Sequence, residues 1–388
     1  MIGGIAIFEK TKALCDSFLE IGIPGFDLMV CHEGKCVLRY FGGVSDKKNQ
    51  IPINGKEKYN IYSCSKPITC VAAMQLWEKG HFRLDDLLSD YMPEFTHMTV
   101  RQPDGTVQPA KNPIRIHNLF EMTAGFNYNY RTEAFRELHA RTYGRCPTRE
   151  FARTLATEPL DFEPGAQYQY SLCHDVLAAL VEVLTGQLFH EYVKENIFDP
   201  LGMKDSNFLL PIEDYVGVAQ LYRYDKVAEE VIVMDHGNVP TARLGSEHAS
   251  GGGGCVSTVE DYMKFLEAIR VGDVILKKDT IRMMTTNRLN EAQKATFNLT
   301  KLGYGYGLGM RTPDPDKGIY DFGWSGAAGS YMAVDPARNV TVYYSMHVMT
   351  SPVHSMRRRV IATVLEDLFS EKSGLDASLD AQLNALPY

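Results

Sequence analysis

The sequence predicts an α+β fold, in which a mostly antiparallel sheet with flanking helices carries an inserted helical subdomain. Two observations lead to this prediction. Strand-like patterns occur near both ends of the chain, whereas residues 81–245 alternate helical patterns with loops and contain few convincing strands. We therefore expect a sheet domain built from residues 1–80 and 246–388, a mainly helical subdomain at 81–245, and an active site between the two.

The first elements follow from local periodicity. Residues 9–19 form an amphipathic pattern and predict a helix. Residues 26–31 and 36–41 predict two strands joined by the turn at 32–35, which is a hairpin. Residues 65–79 have apolar positions at helical spacing and are followed by Gly80, as expected for a helix with a glycine at its C-terminus.

The later elements follow from the same signals. The clearest helix of the middle region is 173–184, closed by Gly186. Ser257 begins a capping box that predicts the start of a helix containing residues 262–268. Residues 329–335 and 339–347 predict successive strands, and residues 357–369 predict a final helix.

Composition excludes several classes of function. The 388 residues have a formal net charge of −8, with 45% hydrophobic and 23% charged residues, so a nucleic-acid partner is not expected. No run of 18 apolar residues and no basic leader occur, which predicts a cytoplasmic protein without a membrane partner. The eight cysteines lack C-x-x-C spacing, which favours reduced thiols over disulfides or a zinc site. No cofactor or metal is expected.

Ser63 and Lys66 form an S-x-x-K pattern at the start of the predicted helix 65–79. A spacing of three residues on a helical turn brings the serine hydroxyl and the lysine amine to one face, within hydrogen-bond reach. The apolar run after Lys66 predicts that the amine is carried toward the interior, where burial disfavours its charge. The pair therefore has the geometry of a nucleophile and its base.

Two further segments contain candidate site residues. Tyr170 and Ser171 lie between a Pro-Gly turn and a helix, a junction at which a phenol can face a cleft. Residues 323–329 form a small-residue strand start that includes Trp324, Ser325 and Gly326, and its glycines allow a substrate to lie close to the backbone.

Taken together, these segments resemble the serine β-lactamase and penicillin-binding-protein superfamily, among whose signatures is S-x-x-K. Five segments stand in the same order as in that superfamily: 63–66, 119–126, 170–172, 251–258 and 324–326. The resemblance spans roughly residues 10–370 and implies the β-lactamase/transpeptidase-like fold. It also implies Ser63 as nucleophile, Lys66 as its proton partner and Tyr170 as the hydroxyl that relays a proton between nucleophile and leaving group, with the backbone N–H groups of Ser63 and Ala327 as the oxyanion hole. The sequence leaves open whether Lys66 or Tyr170 is the general base, because the two would titrate as a coupled pair.

Two departures from the superfamily pattern concern the substrate. Trp324 stands where the β-lactamases and peptidases have the lysine of Lys-Thr-Gly, so a cation that would meet a substrate carboxylate is missing. Leu172 stands where the middle motif ends in asparagine. We therefore expect Trp324, Ser325, Gly326 and Leu172 to bind a less polar substrate, which resembles the carboxylesterase and acyltransferase branch and predicts a small-molecule ester.

Other interpretations stay open. A β-lactamase or D-alanyl-type peptidase, an acyltransferase and a catalytically silent binding protein would share the same motifs. An α/β-hydrolase is disfavoured because no G-x-S-x-G occurs, and His174, His347 and Asp175 are interpreted as structural residues rather than as members of a triad. Tyr128 and Tyr130 are expected to serve in packing.

Overall fold

The computed structural model describes residues 8–215, 217–235 and 244–370. The helices, numbered along the chain, are α1 Glu9–Glu20, α2 Ser65–Glu78, α3 Ile116–Phe120, α4 Glu133–Arg141, α5 Thr148–Leu155, α6 Cys173–Thr185, α7 Phe189–Val193, α8 Asp199–Leu201, α9 Val259–Val271, α10 Lys278–Met284, α11 Glu291–Thr296 and α12 Arg359–Phe369. The strands are β1 Gly25–His32, β2 Lys35–Asp46, β3 Ile51–Pro52, β4 Lys58–Asn60, β5 Thr99–Arg101, β6 Val107–Pro109, β7 Tyr222–Asp225, β8 Glu230–Val233, β9 Val256–Thr258, β10 Gly305–Tyr306, β11 Arg311–Thr312, β12 Phe322–Ser325, β13 Tyr331–Asp335, β14 Val340–Ser345 and β15 Val348–Met349.

The main sheet has eight strands in the order β10-β11-β12-β13-β14-β1-β2-β3. Each neighbouring pair is antiparallel. Strand β1 pairs with β14 in a register that places Asp27 opposite Ser345, so the early and late parts of the chain meet in the middle of the sheet. The predicted α+β fold with an antiparallel sheet and flanking helices is confirmed.

The predicted hairpin is formed by β1 and β2. Its turn residues Glu33 and Gly34 both have positive φ, at 51° and 77°. Two consecutive left-handed residues match the twist of the flanking strands, and glycine at the second position adopts this conformation without steric cost. The turn therefore fixes the register in which His32 faces Lys35.

Strand β14 shows how the sheet is covered on both faces. Val342 and Tyr344 belong to an apolar cluster with α1 and α12, whereas Tyr343 points to the opposite face and stacks on Tyr262 of α9, with ring centroids 4.3 Å apart. This alternation is the two-residue period of a strand, and it buries all six residues of β14.

The helical region is organised around α2 and α6, which pack against each other. Residues 65–76 of α2 are all buried, so this helix has no solvent-facing stripe over that length. Gly80 and Gly186, which follow the two helices, have φ of 79° and 73° and end them as the sequence predicts. Helix α2 thereby carries the residues at its N-terminus into the centre of the molecule.

One detail of the prediction is wrong. The cap of α9 is Thr258, whose side chain accepts a hydrogen bond from Asp261 N at 3.1 Å, rather than Ser257. Ser257 pairs within β9 opposite Tyr59, and its side-chain oxygen lies 2.8 Å from Ser206 Oγ. Strand pairing therefore holds Ser257 in extended backbone and moves the helix start by one residue.

The proposed division at residues 80 and 245 remains a prediction. The middle region is mainly helical but also contains β5 to β8, and β7 pairs in parallel with β15. All eight cysteines are free, and only Cys36 is exposed. Among the described residues, no single helix is long and apolar enough to cross a membrane. The helix pair Cys173–Thr185 and Phe189–Leu201 has the required length and composition only when the two are taken together, and the pair is bent by 82°.

We predict that Phe18→Ala lowers the free energy of unfolding by about 3–5 kcal/mol, because a fully buried ring is removed and a cavity remains. Phe18 is 0% exposed and meets Tyr344 edge to face at a centroid distance of 5.9 Å. Urea unfolding measures the change. Phe369→Ala, at a ring that is 36% exposed, is the control, and equal effects of the two substitutions would contradict the assignment of the α1–sheet interface as core.

Candidate active site

Ser63 lies in a short 3₁₀ turn, Tyr62–Cys64, between β4 and α2. The turn begins with Tyr62 in the left-handed region at φ 48°, a conformation that costs energy for an aromatic residue. Ser65 holds it there, since its hydroxyl donates to Tyr62 O at 2.5 Å and accepts from Cys255 N at 3.0 Å. The Ser65 side chain thus ties the turn that contains Ser63 to the backbone of Cys255.

Lys66 is completely buried, and its amine lies among three oxygens. Its Nζ is 3.3 Å from Ser63 Oγ, 3.0 Å from the Tyr128 hydroxyl and 2.5 Å from the carbonyl oxygen of Gly252. We call these three atoms the Lys66 oxygen site. The predicted contact between Ser63 and Lys66 is therefore present, and a second phenol and a glycine carbonyl join it.

Tyr170 approaches Lys66 with its ring rather than its hydroxyl. Lys66 Nζ lies 4.5 Å from the centroid of the Tyr170 ring, which is a cation–π contact. The hydroxyl of Tyr170 accepts a hydrogen bond from Trp324 Nε1 at 3.2 Å. Both residues are candidate site residues in the sequence, but no sequence pattern indicates the hydrogen bond between them.

Tyr128 was expected to serve in packing, but the structure places its hydroxyl against the Lys66 amine. Its ring packs at a tilt on Tyr170, with centroids 5.6 Å apart. Tyr128 is 39% exposed as a whole, but desolvation around its hydroxyl, reinforced by Tyr170 and Asp175, raises the pKa of Tyr128 above its ordinary value, so the hydroxyl is protonated at neutral pH. Tyr128 lies in a loop, 62 residues along the chain from Lys66, and no sequence pattern indicates this contact.

Asp175 forms a buried polar layer next to the Lys66 oxygen site. Its Oδ1 accepts from Ser250 Oγ at 2.6 Å and lies 3.3 Å from His248 Nε2. Burial alone would raise the pKa of Asp175, but these hydrogen bonds and the nearby His248 and Lys66 lower it below its ordinary value. The carboxylate therefore stays negatively charged at neutral pH and balances the buried amine.

Close contacts explain why the first two positions of the glycine run 251–254 carry no side chain. A Cβ on Gly252 would lie 2.5 Å from Asp175 Oδ2 and 3.4 Å from Lys66 Nζ, and a Cβ on Gly251 would lie 2.3 Å from His174 O. Side chains at these two positions would separate the glycine backbone from Lys66 and Asp175. The run that resembled the superfamily's glycine segment thus supplies the carbonyl that binds the amine.

The segment 324–327 lies beside the Ser63 turn, because β12 packs against Tyr62–Cys64. Gly326 is close enough to this region that a Cβ on it would lie 2.2 Å from Ile61 O. Trp324 is 8% exposed and meets Tyr306 edge to face, and Ser325 is half-buried. Leu172 is 1% exposed and belongs to the main apolar core, so its predicted contact with a substrate stays a prediction.

The histidines of the region do not form a triad with Ser63. His174 Nε2 contacts Phe120 O at 3.3 Å and Cys70 Sγ at 3.6 Å. His347 Nδ1 contacts Ala219 O at 2.8 Å. Within the described part of the chain, Lys66 is the side chain that hydrogen-bonds to Ser63 Oγ, which agrees with the structural interpretation of these histidines.

Comparison with known proteins agrees with this geometry. The family model described as Beta-lactamase matches residues 8–366. Esterase EstB of Burkholderia gladioli is 29% identical over 287 residues, which cover 68% of this chain and 70% of that protein. Two solved structures share the fold: EstCE1, a hydrolase with promiscuous acyltransferase activity, and simvastatin synthase (LovD) from Aspergillus terreus.

The EstCE1 structure has a TM-score of 0.76 at 22% identity and covers 94% of this chain and 98% of its own. The simvastatin synthase structure has a TM-score of 0.76 at 20% identity and covers 96% of this chain and 100% of its own. At these identities the likeness shows the fold, and it extends over nearly the whole chain.

We predict that the free energy of unfolding falls less steeply between pH 6.5 and 4.5 in His174→Gln than in the unmodified protein. Burial, with the Lys66 charge in second place, lowers the pKa of His174 to about 3. In this window the unfolded histidine binds a proton that the folded one does not, so stability falls as the pH falls, at about 1.4 kcal/mol per pH unit for one such group. Urea unfolding at several pH values measures the slope.

The control for this experiment is His97→Gln, at an exposed histidine. His97→Gln should keep the slope of the unmodified protein, to which His190 and His354, whose pKa values are also lowered by burial, contribute in every variant. Equal slopes for His174→Gln and the unmodified protein would show that His174 is protonated in the folded state.

Proposed function

The chain belongs to the beta-lactamase family, and from this premise we propose that it is a carboxylesterase-like serine hydrolase that forms an acyl-enzyme on Ser63. The observation that carries the proposal is the contact of 3.3 Å between Ser63 Oγ and Lys66 Nζ. A hydroxyl is a weak nucleophile at its own pKa and needs an adjacent base. A buried amine within hydrogen-bond reach can serve as that base.

The proposed acylation begins with attack of Ser63 Oγ on the ester carbonyl carbon. The serine proton passes to Lys66, whose Nζ lies 3.3 Å away, and the carbonyl electron pair moves onto the oxygen. The Tyr170 hydroxyl is proposed to relay a proton to the leaving group. The backbone N–H groups of Ser63 and Ala327 would stabilise this oxyanion. Collapse expels the alkoxide, which takes up the proton and leaves as the alcohol, and the acyl group stays on Ser63 as an ester.

Deacylation repeats these steps with water in place of Ser63. Water attacks the acyl carbonyl carbon, its proton passes to the same base, and the carboxylic acid leaves as Ser63 Oγ recovers a proton. If an alcohol replaces water, the product is a new ester. Hydrolysis and acyl transfer therefore differ only in the acceptor that reaches the acyl-enzyme.

The Lys66 oxygen site limits how the amine can act. The Gly252 carbonyl can only accept, so one N–H of Lys66 is always directed toward it. An ammonium can donate its remaining two N–H groups to Ser63 and Tyr128. In the neutral amine one contact has to reverse, and a hydroxyl that donates to nitrogen is the arrangement required for proton transfer from Ser63.

An ester substrate is supported by the aromatic cluster of Trp324, Tyr170 and Tyr306, in which Trp324 is 8% exposed and Tyr306 is fully buried. The indole lies 5.6 Å from Tyr170 and 5.2 Å from Tyr306, measured between ring centroids. Trp324 offers no positive charge to a substrate carboxylate of the kind that β-lactams and D-alanyl peptides carry. We therefore propose a neutral, largely apolar ester as the substrate.

The relatives support the same class of chemistry. EstB is an esterase, and it shares 29% of its aligned residues with this chain. Acyl transfer is the second candidate, because monacolin J acid methylbutanoyltransferase of Aspergillus terreus is 26% identical over 284 residues, which cover 68% of this chain and 66% of that protein. Both activities use an acyl-enzyme, and only the acceptor differs.

We predict that p-nitrophenyl butyrate is hydrolysed and that Ser63→Ala lowers this turnover by about 10³-fold or more, because no acyl-enzyme can form. A chromogenic cephalosporin measured in parallel should be cleaved poorly by the unmodified protein. Intact-mass spectrometry after quenching should show one butyryl group, carried by a peptide that contains Ser63. Thermal unfolding of the variant checks that its fold is retained.

The control substitution is Ser89→Ala, at a serine of the short turn Leu88–Asp90, which should keep full activity. Strong cephalosporin cleavage with ester turnover near background would move the assignment to a β-lactamase. Butyl ester formed from added butanol in preference to butyric acid would favour acyl transfer. A folded protein without any butyryl adduct would contradict the proposed function.

We predict different losses for the two phenols. Tyr128→Phe removes one hydrogen bond to the Lys66 amine and should lower kcat/KM by about 10–100-fold. Tyr170→Phe removes a proposed proton relay and should lower kcat/KM by about 10²–10⁴-fold. Ester hydrolysis as a function of pH measures both. Tyr143→Phe, at a tyrosine that is 89% exposed, is the control, and full activity of Tyr170→Phe would remove that hydroxyl from the mechanism.

A further inference from the structure

The backbone after β12 makes a tight turn from Gly326 to Gly329. Gly329 N donates to Gly326 O at 3.1 Å, and Gly326 N donates to Ser330 O at 2.8 Å. Gly329 has φ 104°, a value that favours glycine. In a turn closed by a bond from the fourth residue to the first, the amide of the second residue takes no part in the closing hydrogen bond, and here that residue is Ala327.

The carbonyl groups of Gly326, Ala327 and Ala328 in this turn all accept hydrogen bonds. Ala328 O accepts from Val348 N at 2.9 Å, and the His354 ring forms a hydrogen bond with the backbone of Ala327. Gly326 O accepts a second bond, at 2.9 Å, from Nη1 of Arg357. The donors of these three contacts all follow β14 in the sequence. Together they fix the peptide planes of the turn.

The bond to Arg357 differs from the others because its donor carries a positive charge. The Arg357 residue is 5% exposed, so the contact lies in an environment of low dielectric. His354 next to it is neutral, since burial and the Arg357 charge lower its pKa well below the ordinary value. Arg357 is therefore the cation that acts directly on the Gly326 carbonyl.

The Gly326 carbonyl and the Ala327 N–H belong to one planar peptide unit, and in a trans peptide they point in opposite directions. A donor bound to the oxygen at one end fixes the direction of the N–H at the other end. A cation at the oxygen also draws electron density away from the nitrogen, which makes the N–H a stronger donor. The side chain of Arg357 can thus influence an oxyanion that it does not touch.

We propose that Arg357 is a positioning residue for the oxyanion hole, which acts by orienting and polarising the Gly326–Ala327 peptide. This inference rests on the proposed acyl-enzyme on Ser63 and on Ala327 N–H as an oxyanion donor. No motif marks this role in the sequence, because Arg357 follows Ala327 by 30 positions and is predicted only as the first residue of the final helix.

The test compares Arg357→Gln, Arg357→Lys and Arg359→Gln. Arg357→Gln keeps a donor of similar shape without the charge, Arg357→Lys keeps the charge without the planar fork, and Arg359 is an exposed neighbour. We expect Arg357→Gln to lower kcat for p-nitrophenyl butyrate by about 10-fold, less than the loss of an oxyanion donor itself, with KM changed by less than about two-fold. Arg357→Lys should lie between, and Arg359→Gln should match the unmodified protein.

A spectroscopic readout separates this role from a merely structural one. The carbonyl stretch of a ¹³C-labelled acyl group on Ser63 reports the strength of the hydrogen bonds to its oxygen. It should move to higher wavenumber in Arg357→Gln, and the inhibition constant of a trifluoromethyl ketone should rise in parallel with the loss of kcat. An unchanged stretch and unchanged kcat, with only a lower melting temperature, would overturn the inference.

Failure of the proposed function gives a different result. If the unmodified protein forms no acyl adduct on Ser63, the proposed function and this inference fall together. If the adduct forms and its carbonyl stretch is the same in all variants, only the role of Arg357 is overturned. If Arg357→Gln does not fold, the comparison of Arg357→Lys with the unmodified protein decides, since identical carbonyl stretches in those two would overturn the inference.

Discussion

The burial of the Lys66 amine is the constraint on which the rest of the site depends. Removing an ammonium from water costs several kcal/mol unless oxygens and a negative charge replace its hydration. The Lys66 oxygen site supplies three oxygens, and Asp175 supplies the charge from the adjacent layer. Because the Asp175 carboxylate fills the space beside Gly252, a side chain at that residue would collide with it, and the apolar core around α2 and α6 has to include a polar layer.

The elements of the fold were predictable where the signal is local. The β1–β2 hairpin and helices α2 and α6 follow from apolar periodicity and from glycines at turns and helix ends. The cap of α9 was misplaced because Ser257 and Thr258 offer the same hydroxyl, and only the pairing of Ser257 with Tyr59 in β9 decides between them. That pairing joins residues almost 200 positions apart, which no local pattern reveals.

The site was predictable to the extent that motifs mark it. Ser63, Lys66, Tyr170 and Trp324 come together as the resemblance implied, but three groups that complete the site had no motif. Tyr128 lies in a loop, Asp175 stands in the first turn of an apolar helix, and His248 precedes the glycine run. A buried carboxylate at the start of an otherwise apolar helix was the one visible signal, and its partners could be identified only in three dimensions.

Trp324 connects the proposed substrate with the proposed mechanism. Its indole stands where the superfamily pattern has a lysine, and its N–H donates to the Tyr170 hydroxyl at 3.2 Å. A lysine at this position would add a positive charge but would remove the planar ring that packs on Tyr170 and Tyr306. Tryptophan in place of lysine therefore changes both the charge at this position and the hydrogen bond to the phenol, and a Trp324→Lys substitution would alter both at once.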